Sequence, residues 1–599
     1  MNEYRAPLAD IRFLLEHVVE IGELSKIPGY EHAEPEVVAG LLEEAAKFMA
    51  EVLSPLNRQG DLQGARLVDG VVRSPDGFRE AYQKFTAAGW GAVGLDERHG
   101  GGGLPYVVAT VVEEMIQSAN MSFGLCPALG GGAIEALRHH GSEALKATFL
   151  TKLVSGEWSA TMNLTEPQAG TDLGALRTSA ERAEDGNYRI KGTKIFITYG
   201  DHDLTDNVIH LVLARTTDAP AGVRGISLFL VPKFLVGPGG EIGERNDLKV
   251  VSLEHKLGIH GSPTCVLNFG EDAGGATGYL LGEENRGLQY MFTMMNHERL
   301  FVGCQGVAIA ERAYQEAAHY ARERRQGRAI GSDAVAGESS VIIEHADVRR
   351  MLMTMKATIE GMRGLLYDTA ATDDLAERHP DAAVRGRSSA RVALLTPVVK
   401  AWLTDAGVEV TSLAMQVFGG MGYVEETGMP QFYRDVRITP IYEGTNGVQA
   451  MDLVSRKLPM EGGAVVAAYL GDIDSLCGEL SDAGGALAHS GAQLAAAVVG
   501  LREATEWLLE RSESDPRSVA AAASPYLRMF GIVAGAYYLM KSALIARRLQ
   551  ESSPDDSFLR NKQATARYYA EQLLPDAVAK LAAVTAGSDS LFEIPAGDF

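Results

Sequence analysis

Cysteine is scarce: Cys126, Cys265, Cys304 and Cys477 are the only four in 599 residues, and no two make a CxxC pair. Such spacing argues against a disulfide frame or a zinc site and points to reduced thiols in a reducing compartment, the cytoplasm. Basic residues are also short, with 55 Lys and Arg against 78 Asp and Glu, a net charge of -23. Binding a phosphate backbone needs a cationic face, so no nucleic-acid partner is expected. Long apolar runs are missing. The stretch MNEYRAPLADIRFLLEH is charged throughout and lacks the apolar centre of a signal peptide. MFGIVAGAYYLM, residues 529–540, is too short to span a bilayer, and no integral membrane segment is expected. A Walker lysine loop, HExxH, a GxSxG elbow and zinc-ligand spacing are absent too, so no metal is expected.

What is present is length and helix. A chain of 599 residues exceeds one compact core, and 46% hydrophobic content suits a soluble globular protein. Val37, Leu41, Leu42, Ala45, Phe48, Met49, Val52 and Leu53 line one face of a helix over 36–54. Helical pattern continues to about residue 155, broken at RHGGGGLP. Then YRIKGTKIFIT (188–198), NVIHLVLAR (207–215), GISLFLVPK (225–233) and TCVLNF (264–269) read as strands, being short, β-branched and bounded by turn residues. Helical period returns from about residue 281, and MEGGAVVAA (460–468) marks a junction to an alanine-rich helical block. The order is α–β–α with a further helical block.

Four clusters hold candidate chemistry. LTEPQAGTD (164–172) brackets a Pro-Gly loop with Thr165 and Thr171, whose free N–H groups can hold an anion or a heterocycle edge; an ordinary turn explains it equally. In KIFIT (194–198), strand alternation puts Phe196 and Thr198 on one side, an aromatic face beside a hydroxyl, though core packing accounts for Phe196 as well. ARERRQGR (321–328) is strongly cationic on an acidic protein and matches a pyrophosphate, with a solvated helix face as the competitor. QVFGGMGY (416–423) allows close backbone approach at Gly419, Gly420 and Gly422, or is simply a helix end. PIYEGTNGVQAMD (440–452) adds one carboxylate, Glu443, between an apolar shelf and a flexible glycine.

Taken in order, these segments resemble the acyl-CoA dehydrogenase family over about residues 40–460. LTEPQAGTD is similar to its TEP-x-AGSD segment, KIFIT to its W-I-T strand, and ARERRQGR to its arginine-plus-Gln stretch. QVFGGMGY and RDVRITPIYEGTNGVQ are similar to its GG-x-GY and IYEGT blocks. The extra block beyond 460 and MFTMMNHERLFVGCQG resemble a longer bacterial subfamily that includes 3-methylmercaptopropionyl-CoA dehydrogenases and long FadE-type enzymes.

The resemblance implies a multi-domain α+β fold: an N-terminal extension over 1–35, a helical domain over 36–158, a β-barrel or sandwich domain over 159–280, a four-helix bundle over 281–462 and an additional helical domain over 463–599. It implies FAD, with Glu443 as the base that removes an α-proton while the β-hydride passes to flavin N5, yielding a trans-2-enoyl-CoA. Met162, Leu164, Thr165, Gly170 and Thr171 fall on the flavin-edge segment, with Thr171 also near the acyl-CoA. Phe196, Ile197 and Thr198 fall on the strand covering the flavin ring, Phe standing where Trp is common. Arg324 and Gln326, with Gln416, Gly419 and Gly420, fall on phosphate and adenosine contacts made across a homodimer. Thr445 and Gly447 complete the flavin site. Asn296, Glu298, Arg299, Tyr442 and Gly444 fall on substrate-lining positions. Two departures stand out: Gly327 replaces a family Phe, and GSDAVAGESSVI behind it looks inserted. The implied partners are an acyl-CoA and electron-transfer flavoprotein. Competing expectations are an acyl-CoA oxidase that uses dioxygen, and a non-catalytic or DNA-binding scaffold on the same frame.

Overall fold

The computed structural model describes residues 4–237, 239–331 and 338–599, except for the side chains of residues 293, 294 and 296. The chain divides into two compact units. One comprises Met1–Glu44, Pro105–Glu114 and Arg299–Phe599; the other comprises Ala45–Leu104 and Met115–Glu298.

The second unit holds every strand among the described residues. A hairpin, β1 (Arg66–Val68) and β2 (Val71–Arg73), turns at Asp69 and Gly70, both with positive φ. Asp-Gly between valines is a standard hairpin signal, and the sequence reading passed over it as helical. The remaining strands are β3 (Trp158–Asn163), β4 (Ser179–Arg182), β5 (Tyr188–Thr198), β6 (Asn207–Thr216), β7 (Ser227–Pro232), β8 (Phe234–Val236), β9 (Ile242–Arg245), β10 (Leu248–Leu253), β11 (Thr264–Phe269) and β12 (Ala276–Leu280). β5 pairs with β12, β12 with β7, β7 with β6, and β6 with β4, which returns to β5. The sheet therefore closes on itself as a barrel, which removes its free edges. β3 joins parallel to β6, and β11 and β10 extend from β5. Every residue of β7 and the first eight of β6 are buried, so these strands read as continuous apolar runs.

The first unit is helical. Its long members are Ala346–Arg378, Ala382–Phe418, Ala464–Ala483, Gly485–Arg511, Pro516–Gln550 and Ser557–Gln572, together with most of Gly287–Glu323. Small residues let helices approach: Gly361 and Gly364 face Gly535 and Tyr538, and a Cβ on Gly531 would lie 2.2 Å from the Trp402 ring. The apolar run at 529–540 belongs to Pro516–Gln550, a helix that by length and composition could cross a membrane. Its most apolar window is 89% buried inside the protein, as in a core helix.

Candidate functional site

Glu443 sits in the turn that precedes the helix Asn446–Asp452. The N–H groups of Ile441 and Tyr442 both donate to the Ile438 carbonyl, and the Asn446 N–H reaches back to Pro440 at 3.0 Å. Two consecutive residues then take left-handed backbone, Glu443 at φ 56 and Gly444 at φ 81. A Cβ on Gly444 would come within 2.8 Å of Gln449 Nε2, so only glycine fits. Glu443 carries its strain with a full side chain, a conformation that costs about 1–3 kcal/mol and clusters at functional sites. Among the described residues, neither its amide N–H nor its carboxylate makes a hydrogen bond; only its carbonyl does, accepting from Gln449 Nε2 at 3.4 Å. Burial raises the carboxyl pKa, and the charges of Arg299 and Lys400 oppose that rise.

The surroundings fix the turn. Lys400 is fully buried on Ala382–Phe418 and donates from Nζ to Asn446 Oδ1 at 2.8 Å. Asn446 Nδ2 donates to the Ala401 carbonyl, Thr404 Oγ1 and Asp405 Oδ1 at 3.1, 3.0 and 2.7 Å. Burial lowers the Lys400 pKa to about 7 against the pull of Glu443 and Asp405. Arg299, also buried, lies 3.8 Å from the Asp452 carboxylate, and its Nε has no partner among the described residues. Burial lowers its pKa as well, with Asp452 and Glu443 opposing. Tyr442 is half-buried and gives its hydroxyl proton to the amide oxygen of buried Gln305. Thr445 caps the following helix by accepting from the Val448 N–H at 3.3 Å, and it and Gly447 are exposed.

In the barrel unit, Glu166 organises the loop 164–172. Its carboxylate accepts from the N–H groups of Arg177 and Thr178, from Thr178 Oγ1, from Gln168 Nε2, and from Lys194 Nζ at 2.8 Å. Lys194, wholly buried, also donates to the Leu164 carbonyl at 3.0 Å. Burial would raise the Glu166 carboxyl, but Lys194 and these donors hold it near 2, while burial brings Lys194 down to about 8. The loop is thus pinned from inside, and its outer rim stays open. The N–H groups of Thr165, Gln168, Gly170 and Thr171 and the hydroxyls of Thr165 and Thr171 make no hydrogen bond among the described residues. Thr165 gives its carbonyl to the Ile195 N–H at 3.0 Å. Met162 and Leu164 are half-buried; Gly170 and Thr171 are exposed. Glu166→Ala is expected to lower unfolding stability by about 3 kcal/mol, because Lys194 is left buried without its counter-ion. Chemical denaturation checks it. The contribution of Glu166 is full above the ordinary carboxylate pKa and is lost as pH falls toward about 2.

On β5, Phe196 departs from the plain pleat expected of KIFIT. Its φ is 59, and the register with β11 shifts between Cys265 and Leu267. The bulge leaves the Phe196 ring 59% exposed while Ile197 is buried and Thr198 half-buried. An open aromatic face, unpaired hydroxyls and a rim of free amides suit the edge and face of an uncharged heterocycle, so these residues fit a flavin ring.

In the helical unit, Arg324, Gln326, Gln416, Gly419 and Gly420 are all exposed. The Tyr320 and Phe418 rings stack with centroids 4.2 Å apart, which brings both segments to one end of the helix pair. Gly327 takes φ 61, and the segment behind it folds back. Ser340 donates to the Gly327 carbonyl at 2.8 Å and Ile342 to that of Arg324 at 2.7 Å, which fixes the arginine backbone. Residues 332–337 of the inserted stretch lie outside the described residues. So does the Asn296 side chain; Glu298 is buried in the barrel unit and is not free of partners. Sequence reasoning missed Glu166, Lys194, Lys400 and Asn446. The available signal was a lone lysine in an apolar run, as in LTPVVKAWL (395–403).

Four family models cover the chain in order: acyl-CoA dehydrogenase N-terminal domain over 38–157, middle domain over 161–271, C-terminal domain over 285–458, and "acetyl-CoA dehydrogenase C-terminal like" over 469–595. The chain is 47% identical over 588 residues to 3-methylmercaptopropionyl-CoA dehydrogenase of Ruegeria pomeroyi, covering 98% of this chain and 99% of that one. It is 33% identical over 595 residues to the broad-specificity linear acyl-CoA dehydrogenase FadE5 of Mycobacterium tuberculosis, covering 96% of each. In fold it is similar to Caenorhabditis elegans ACDH-11, solved in complex with C11-CoA, with a TM-score of 0.75 and 22% identity over 96% of this chain and 93% of that one. Matches of this length and order, on the extra C-terminal block as well as the core, show that the chain belongs to the acyl-CoA dehydrogenase family.

Proposed function

We propose that the protein is an FAD-dependent dehydrogenase that converts an acyl-CoA thioester to a trans-2-enoyl-CoA, with Glu443 as the base and 3-methylmercaptopropionyl-CoA as substrate. The observation that carries the chemistry is the state of Glu443: strained, half-buried, unpaired at its carboxylate, and in the field of two buried cations. A carboxylate in that setting is a stronger base than one in water, and the charges of Lys400 and Arg299 oppose the rise by favouring its ionised form. It takes the α-proton as the α C–H bond breaks. The unpaired Glu443 N–H would donate to the thioester oxygen, where negative charge develops; one such donor is typically worth about 3 kcal/mol. Tyr442 and Gly444 would line the acyl chain, and Thr171, Glu298 and Arg299 the rest of the substrate.

Bound FAD would supply the acceptor for the hydride leaving the β-carbon. Thr165, Gly170, Thr171 and the neighbouring Met162 and Leu164 would hold the ring edge, Phe196, Ile197 and Thr198 its face, with Thr445 and Gly447 beside them. Arg324 and Gln326 would bind phosphates, and Gln416, Gly419 and Gly420 the adenosine side, of FAD in a second copy of the chain. The exposed Ile330, Met421 and Tyr423 near these groups support that homodimer. Four free cysteines, three of them buried, support a cytoplasmic setting. Electrons would leave through electron-transfer flavoprotein. With an extension over 1–35 and domains over 36–158, 159–280, 281–462 and 463–599, the flavin edge would fall in the β domain and the base in the bundle.

The choice of a thioether substrate rests on the 47% relative. Anaerobic titration with 3-methylmercaptopropionyl-, butyryl- and octanoyl-CoA is expected to bleach the flavin at the lowest concentration with the thioether. Preference for a straight chain would overturn that choice. Strong peroxide release in air would make the protein an oxidase instead.

A further inference from the structure

We propose that Lys400 is a positioning residue for the reaction: held by Asn446, its ammonium group sets the protonation of Glu443. The inference rests on Glu443 being the base, and it goes beyond that reading by naming what controls it.

The geometry is a short relay. Lys400 has no exposed surface, and Asn446 Oδ1 at 2.8 Å is its hydrogen-bond acceptor among the described residues. Asn446 is the first residue of the helix that follows the base, two positions beyond Gly444. It is held on four sides, by Lys400, the Ala401 carbonyl, Thr404 and Asp405. A lysine so placed has no solvent to screen it, so its charge acts on Glu443 at low effective dielectric.

The other charges around the pair come from five elements: Gly287–Glu323, Ala382–Phe418, Asn446–Asp452, Leu453–Lys457 and Pro516–Gln550. Arg299 on Gly287–Glu323 favours ionised Glu443 and disfavours charged Lys400. Asp405, on the helix of Lys400, favours its charge; Asp405 is itself raised by burial and influenced by Arg528 and Glu409. Asp452 and Arg456, beyond the turn, act on Arg299. Lys400 is thus the cation of the group whose own charge is near balance at neutral pH, about 7. Arg299 stays charged throughout that range.

Removing the Lys400 charge raises the Glu443 pKa, so the base is protonated at higher pH. The test is Lys400→Met in the holoenzyme, with substrate-dependent flavin reduction measured across pH. The acidic limb is expected to move up by about one pH unit, a usual size for such shifts. Rates should recover at alkaline pH with KM little changed. Difference infrared spectra against Glu443→Gln should show the carboxyl band of residue 443 titrating at the same higher pH. Lys400→Arg keeps a cation and is expected to restore the original limb. If Lys400→Met does not fold, Asn446→Leu serves: it removes the acceptor, drives Lys400 neutral, and should give the same upward shift. A rate lowered equally at every pH, with the infrared midpoint unmoved, would overturn the proposal and leave Lys400 a structural residue. If Glu443→Gln itself still reduces the flavin, the base assignment fails instead, a result readily told apart.

Discussion

Glu443→Gln is expected to slow substrate-dependent flavin reduction by about 10³-fold, within the usual range for loss of a general base, while FAD content stays that of the wild type. The amide is nearly isosteric, so the left-handed turn at 443–444 and the helix cap at Thr445 are kept. What is lost is a group able to accept the α-proton. Glu443→Asp is the sharper companion: it keeps the charge but withdraws it by one methylene, and misplacement of about 1 Å costs about 10²-fold. The pair should therefore rank wild type, then Asp, then Gln. Stopped-flow reduction with saturating acyl-CoA reads both. The pH profile carries the same information. Burial raises the Glu443 carboxyl above its usual range, so activity should fall as pH drops through a value higher than that of an ordinary glutamate. Unchanged reduction by Glu443→Gln would place the base elsewhere.

Four of the strands, β5, β6, β7 and β11, were legible because they carry buried β-branched apolar runs; the shorter and more polar strands were not. YRIKGTKIFIT was read as 188–198 and forms Tyr188–Thr198; TCVLNF forms Thr264–Phe269. Glu443 was legible for a different reason, since a glycine directly after a lone acid signals an unusual turn. The buried ionic residues were not. Lys194 and Lys400 each stand in an apolar element where a lysine is read as solvated, and their partners, Glu166 and Asn446, lie 28 and 46 positions away. Only folding joins them. Nor does any local pattern announce the positive φ of Phe196, because the bulge depends on how β5 pairs with β11. Candidate positions were thus readable where the backbone is special and hidden where a charge is buried by distant chain.

The largest stability effect is expected at Arg363, in the helical unit. Its guanidinium is 1% exposed and binds three carboxylates: Glu114 at 2.7 Å, Asp10 at 2.7 Å and Glu311 at 2.9 Å. Tyr367 gives a further hydrogen bond to Glu114, and Lys562 joins Asp10 and Glu360. The network ties the residues before 35 and the helix Ser557–Gln572 to the bundle helix Ala346–Arg378. Arg363→Met preserves apolar volume but leaves three buried carboxylates short of their cation, a loss of about 3–5 kcal/mol. Burial alone would raise Asp10, yet Lys562 and Arg363 hold it well below the ordinary carboxylate range. Its contribution is therefore full above that range and vanishes as pH falls through the lowered value. In the variant, the loss should be smaller at pH 5 than at pH 7, because burial raises the orphaned carboxylates and the folded state takes up their protons on acidification. Equilibrium denaturation at pH 7 and at pH 5 measures both effects. A loss under about 1 kcal/mol, equal at the two pH values, would mean that the network contributes register rather than stability.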